Sequence, residues 1–309
     1  MAHADPDGGR GAAMTSPPLM LVVTTLGRVL PLRRLLDSAV PQLGPDDRIV
    51  VVAQGNVADV QALVEGADAL GRVRALTSAR GASLGRNTGI AALADAGDEA
   101  LVMFPNDTTW FPADSIATIR RLVADAPGGA VTVSTEIGPR FTLPTPGTAL
   151  DTSTVWNVIE MSLVIRLGLL REVGGFDTGI GTGAASPWQA GEVTDLLMRA
   201  LAAEPLLARE FVWTYAHDVH VGGIAETAGL DPRERRWKLR AYGRGVGRVL
   251  ARHPFPLWHR WGFVAAGALV GLRRGNEYRP WDGIAAVVGR LEGVVGRTFR
   301  SREATAVKR

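Results

Sequence analysis

The sequence predicts an α/β protein built on a doubly wound, mostly parallel sheet, and three observations carry that expectation. Short apolar runs recur at Leu19 to Thr24, Arg48 to Ala53, Val73 to Leu76 and Leu101 to Phe104, with stretches of helical spacing between them. The runs alternate little between apolar and polar residues, as strands covered on both faces do. Each ends in turn residues, and a β-α-β-α-β-α-β order winds into a parallel sheet.

Taken in order, Leu19 to Thr24 is followed by a turn with Thr25, Gly27 and Arg28 and by a helix from Leu30 to Val40. Arg48 to Ala53 closes on Gln54, Gly55 and Asn56, and Val57 to Leu70 reads as the next helix. Val73 to Leu76 leads into Arg80 to Ile90, RGASLGRNTGI, and a small-residue helix to Ala96. Leu101 to Phe104 breaks at Pro105 into Asn106 and Asp107. A helix is expected over Asp114 to Asp125 and strands over Ala130 to Thr135 and Val158 to Arg166. Thr142 to Thr154 reads as a loop, Leu167 to Val173 as a short helix, and Glu192 to Ala203 as a clear one. Glu210 to Tyr215 and Asp218 to Val221 read as edge strands.

Beyond residue 225 the character changes. Arg233 to Arg252 is a basic helical stretch, and WGFVAAGALVGL, Trp261 to Leu272, lies between arginines. That run is too short to span a bilayer but suits a core or interfacial helix. A last helix is expected from Asp282 to Phe299. The organisation that follows is a disordered leader over 1–18, an α/β domain over 19–225 and a C-terminal helical extension over 226–309. The leader lacks the apolar stretch of a secretory signal, so the expected location is cytoplasmic.

Composition excludes several classes. With 309 residues and 46% apolar content the chain can bury a full core. It has no Cys, which removes disulfides and thiolate metal sites. A net charge of +3 gives no reason to expect nucleic acid as a partner.

Chemistry is concentrated where strands end, because ligands of open α/β sheets sit beyond the carboxyl ends of the strands. Asp107, next to Asn106 and followed by Trp110 and Phe111, stands at such an end, although Asn and Asp also simply turn a chain. Arg28, Arg80, Arg86 and Asn87 fall in turns or at a helix start, where cations and backbone amides suit a diphosphate. The glycines of RGASLGRNTGI follow the third strand with no acid at the expected distance, which argues against a dinucleotide-dependent oxidoreductase. Glu192 and Asp195 share one face at a helix start, behind a loop carrying Trp188 and Gln189. Acids there serve the helix dipole or catalysis equally well. His217 and His220, two apart, would face one side of a strand.

In this order and spacing the pieces resemble glycosyltransferase family 2, the inverting family with the GT-A fold, over Leu19 to Val221. The resemblance implies a nucleotide-sugar donor, with a UDP- or dTDP-sugar expected, and a glycan or lipid-linked acceptor hydroxyl in cell-envelope or polysaccharide synthesis. It also implies Mg²⁺ or Mn²⁺ and an acidic base. Carried over by position, Thr24, Thr25, Arg28, Gln54, Arg80, Arg86, Asn87, Asn106 and Asp107 would bind the nucleotide-sugar. Trp188 and Gln189 would meet the acceptor, Glu192 or Asp195 would be the base, with Asp195 slightly preferred, and Asp107 and His220 would hold the metal. Three departures stand out: Ala53 where the family commonly has an acid, a single acid in Asn106-Asp107-Thr108, and Val193 where a second acid commonly follows the Glu. They leave room for a non-catalytic nucleotide-sugar or glycan-binding protein of the same fold. For the helical region, membrane docking through its arginines and homo-oligomerisation are both open.

Overall fold

The computed structural model describes residues 16–68, 70–135, 138–139, 142–215, 217–223, 230–272 and 278–299. The leader expected over 1–18 lies outside them except for its last three positions. The first half alternates as the sequence predicts: β1 (Leu19–Thr25), α1 (Val29–Ala39), β2 (Arg48–Ala53), α2 (Val57–Glu65), β3 (Val73–Thr77), α3 (Ala82–Ala91), β4 (Leu101–Met103) and α4 (Ser115–Leu122). Then come β5 (Gly128–Ala130), β6 (Thr132–Thr135), β7 (Gly138–Pro139), β8 (Leu163–Arg166), α5 (Leu167–Glu172), α6 (Glu192–Ala203), α7 (Leu207–Glu210), β9 (Val212–Trp213) and β10 (His220–Gly222). The chain closes with α8 (Pro232–Arg252), α9 (Leu257–Ala266) and α10 (Pro280–Val295).

The main sheet has seven strands in the order β3-β2-β1-β4-β8-β5-β9, and β8 alone runs antiparallel to its neighbours. Successive residues of β1 serve opposite faces, as a pleated strand requires. Met20 and Val22 join a core with α6, while Leu19, Leu21 and Val23 join one with α1, α2 and α4. Covering on both faces explains why the run reads as continuously apolar.

Several boundaries differ from the sequence reading. The expected strand Val158 to Arg166 begins only at Leu163. Ser162 Oγ donates to the Ile159 carbonyl at 2.8 Å and accepts from its N–H at 3.0 Å, a side-chain turn that competes with the ladder. Ala130 to Thr135 divides between two sheets, with β6 leaving to pair with β10 and β7. The expected edge strand at Asp218 to Val221 therefore belongs to this small second sheet. The single helix expected over Trp261 to Leu272 is instead α9 followed by a 3₁₀ turn over Ala268–Leu272.

The C-terminal helices are not an appendage. Gly245 of α8 lies so close to the backbone of Ala190 that a Cβ would have no room, and Gly191 packs against Val249. Val249, Leu250 and Phe255 are buried in the same core as the sheet. Glycines 243 and 247 of α8 and 289 and 293 of α10 let those two backbones touch. The arginines of α8 largely turn inward: Arg235 pairs with Asp282, and Arg240 and Arg244 hold Glu292, both acids being fully buried.

Candidate active site at the carboxyl ends of the strands

β1 and β4 run side by side, and a parallel bridge from Thr24 to Asn106 extends their pairing into the loop beyond β4. That bridge sets Asp107 beside the end of β1. Asp107 is 2% exposed. Thr25 Oγ1 donates to its Oδ2 at 2.7 Å, and Arg28 Nε donates to the same oxygen at 3.1 Å. Arg28 Nη2 closes the fork on Oδ1. The Gly27 N–H donates to Thr25 Oγ1 at 3.0 Å, so the hydroxyl is held from both sides. Asn106 donates to Glu160 Oε1 at 2.9 Å.

Gln54, at the end of β2, knits the loop before α3. Its Nε2 reaches Ser78 Oγ at 2.9 Å and the carbonyls of Ala79 and Gly81 at 2.7 and 2.9 Å. Gly85 lies against Gln54 and Thr24 with no room for a Cβ, which brings the RGASLGRNTGI segment onto the strand ends. Arg80 is exposed at the edge of this loop. Arg86 and Asn87 point the other way. Arg86 is 3% exposed and donates to Glu192 Oε1 at 3.2 Å. Asn87 exchanges two hydrogen bonds, each 2.8 Å, with the backbone of Phe176. Of the side chains expected at a diphosphate, Arg28 and Arg80 reach solvent, while Arg86 and Asn87 tie α3 to the loop before α6.

That loop is held by its own residues. Gln189 accepts from the Gly183 N–H at 2.9 Å and donates to the carbonyls of Ala184 and Ser186. The Trp188 carbonyl accepts from the Gly181 N–H at 2.8 Å, and the Arg248 guanidinium lies 5.5 Å from the Trp188 ring centre. The Ala82 N–H donates to the Thr182 carbonyl at 2.9 Å, which joins the loop to the segment opening α3.

Glu192 and Asp195 begin α6 on one face, but their surroundings differ. Among the described residues only Oε1 of Glu192 carries a bond, from Arg86. Asp195 is 1% exposed and both its oxygens are engaged, Oδ2 by Arg199 Nε at 3.0 Å and Oδ1 by His253 Nε2 at 2.8 Å. Burial pushes its carboxyl up, and the His253 hydrogen bond with the Arg199 charge more than reverses this, holding it below the usual carboxylate range. Arg199 also donates to the carbonyls of Val173 and Gly175. Asp195, the base slightly preferred from the sequence, is thus enclosed and saturated, a tie between α6, the glycine-rich loop and the helical region.

His220 is not brought to Asp107. Trp110 and Gly222 exchange hydrogen bonds of 3.1 and 2.9 Å in an antiparallel bridge. Stepping back from Gly222 to His220 thus runs past Trp110 and away from Asp107. Among the described residues no three His, Asp or Glu side chains gather where a metal ion could be held. Asp107 would also have to exchange Arg28 and Thr25 for the ion, so these residues do not form a ready divalent site.

Sequence reasoning missed His253, Arg199, Arg248 and Glu160. His253 lies 58 positions from the acid it meets, and no spacing rule connects them. Arg199 was within reach of one, since an Asp and Arg four apart on a helix share a face.

No family model matches the sequence, and no curated protein matches it. The fold has solved counterparts. Residues 1–349 of S. aureus TarS superpose with a TM-score of 0.54 at 12% identity, covering 92% of this chain and 93% of that one. The same fragment in complex with UDP-GlcNAc gives 0.53 at 12% identity, with the same coverage. Its complex with UDP gives 0.54 at 13% identity, again covering 92% and 93%. The fold is thus GT-A-like, as the resemblance carried by the sequence implies.

Proposed function

We propose that the chain is an inverting glycosyltransferase that moves a sugar from a UDP- or dTDP-sugar to a hydroxyl of a glycan or lipid-linked acceptor in bacterial envelope or polysaccharide synthesis. One observation carries this reading: Thr25, Arg28 and Asp107 converge at the carboxyl ends of β1 and β4. They do so on a fold shared with a protein crystallised with UDP-GlcNAc. Arg28, whose side chain is 53% exposed, is the cation that can turn from Asp107 to a diphosphate.

Glu192 is the base. Its Oε1 is held by Arg86, which fixes the carboxylate, and Oε2 is the oxygen free to take the acceptor proton as the acceptor oxygen attacks the anomeric carbon. A single displacement of this kind inverts the configuration. A divalent cation, if bound, would supply further neutralisation of the departing diphosphate. Asp107 is the carboxylate it would use, in competition with Arg28, and no step here depends on it.

The saturated Asp195 and the Arg28-locked Asp107 also favour a second reading, a non-catalytic nucleotide-sugar or glycan-binding protein. A thermal-shift panel of nucleotide-sugars, followed by detection of free nucleoside diphosphate with the best binder, separates the two. A donor at 100 times its dissociation constant should stabilise by about 2.7 kcal/mol. Stabilisation without any diphosphate release, with or without Mn²⁺, would leave the binding protein.

A further inference from the structure

The outer side of α9 and the turn after it is apolar without interruption. From Leu257 to Leu272 the exposed residues are Leu257, Trp258, Trp261, Gly262, Ala265, Ala266, Ala268, Leu269 and Leu272, and none has a polar side chain. Trp258 is 75% exposed, Trp261 53% and Leu272 70%. The start of α10 adds Trp281 at 67% and Ile284 at 52%. Gly271 lies against Pro280 and Gly283, so the α9 turn and the start of α10 form one surface. Helices on a protein surface normally turn polar residues outward. A continuous exposed apolar face of this kind marks an interaction site.

Charge decides what covers it. Residues 226–309 carry 18 Lys and Arg against seven Asp and Glu, a net +11, while residues 1–225 carry 16 against 24, a net −8. That net already counts every acid of the region, so the pairing of Asp282 and Glu292 with arginines leaves it unchanged. The helical region thus carries the positive net charge of the chain, and the apolar face belongs to it. Tryptophan rings at the edge of an apolar face suit the level of lipid headgroups, and a cationic surround suits an anionic leaflet. No helix among the described residues is long and apolar enough to cross a membrane.

We propose that the face made by α9, its following turn and the start of α10 docks the chain, lying flat, on a bilayer bearing anionic headgroups. Most arginines of the basic helix α8 are engaged elsewhere: Arg235, Arg240, Arg244 and Arg252 pair with Asp282, Glu292 and Asp177, and Arg248 lies over Trp188. They set the field, and the tryptophans and leucines supply the insertion.

The test is co-flotation of the full chain with phosphatidylcholine vesicles and with vesicles containing one quarter phosphatidylglycerol, at low and high salt, with no donor present. It is therefore independent of the glycosyltransferase reading. Binding is expected on the anionic vesicles at low salt, reduced by high salt and weak on the neutral ones. The triple variant Trp258→Ser, Trp261→Ser, Trp281→Ser should keep the fold, because all three rings are largely exposed. With each large apolar side chain contributing about a tenfold factor or less to partitioning, the variant should bind roughly a hundredfold more weakly. Three outcomes would overturn the proposal: no binding to anionic vesicles at low salt, undiminished binding by the variant, or a stable dimer in solution that the variant loses. The last would assign the face to a second copy of the chain.

Discussion

Two regions of this molecule pair arginine with a carboxylate, and they do so to different ends. At the strand ends, Asp107 is buried but its partner Arg28 stands half in solvent, with 53% of its side chain exposed. Between α8 and α10, Glu292 is fully buried, and Arg240 and Arg244, at 20% and 18%, close over it with the Phe299 N–H. The groups are the same. What differs is whether the cation has a free side. A carboxylate sealed by its own chain's cations fixes structure, whereas one whose cation reaches solvent can share that cation with an anionic ligand. Asp195, sealed by Arg199 and His253, belongs with Glu292 despite lying one helical turn from the proposed base.

The largest effect should come from opening the sealed pair. Glu292→Ala removes a fully buried carboxylate that Arg240 and Arg244 share and should cost about 3–5 kcal/mol. Chemical denaturation monitored by circular dichroism measures it. A loss below about 1 kcal/mol would erase the distinction between the two regions.

The two acids of α6 sharpen the comparison next. Glu192→Gln should lower turnover on the order of 10²-fold or more with donor affinity little changed. Asp195→Asn should act in the opposite sense, lowering stability by about 1–3 kcal/mol while turnover per folded molecule stays within a few-fold. Equal and mild losses of turnover in both would show that neither acid is the base.

The open pair should respond in binding more than in stability. Arg28→Ala is expected to weaken donor binding about tenfold or more, the worth of one charge-assisted hydrogen bond. Its stability should fall by less than that of Glu292→Ala, because removal of the half-exposed Arg28 opens the Asp107 carboxylate to water. Since Arg28 already occupies Asp107, chelation of divalent cations should cost less turnover than loss of Arg28. The reverse order, together with loss of metal-dependent turnover in Asp107→Ala, would restore a divalent cation to this site.

The sheet and the loop positions of Asp107, Arg28 and Glu192 were legible because they rest on short-range signals: apolar runs ended by turn residues, and a helix beginning after Gly191. What was not legible is pairing across sequence distance. Arg86 and Asn87 lie in a motif that reads as a phosphate loop, yet they bind Glu192 and the Phe176 backbone, 106 and 89 positions away. The basic stretch of α8 reads as a solvated or lipid-facing surface because its acids, Asp282 and Glu292, lie on α10, about 50 residues on. The antiparallel β8 escaped notice for a related reason. A strand buried on both faces has the same composition in either direction, and only its place between β4 and β5 fixes its sense.

The smallest effect is also the one that separates the sealed acids by titration. Burial raises the Asp195 carboxyl, and His253 and Arg199 bring it below the usual range; burial raises Glu292, and Arg240, the Phe299 N–H and Arg244 bring it down. A carboxylate depressed in the folded state contributes its stability in full above its unfolded pKa, about 3.9 for Asp and 4.3 for Glu. That contribution is lost as pH falls through the folded value, because the unfolded chain takes up the proton first. The wild-type chain should therefore lose stability below about pH 5 with a slope of up to about 1.4 kcal/mol per pH unit for each such group. In Asp195→Asn one of these protons is gone. The stability gap between wild type and variant should be constant from pH 7 to about 5 and then narrow toward pH 3, as read from denaturation midpoints at each pH. A gap that stays constant to pH 3 would mean that Asp195 is not held as a depressed carboxylate, and would return it to the candidates for the base.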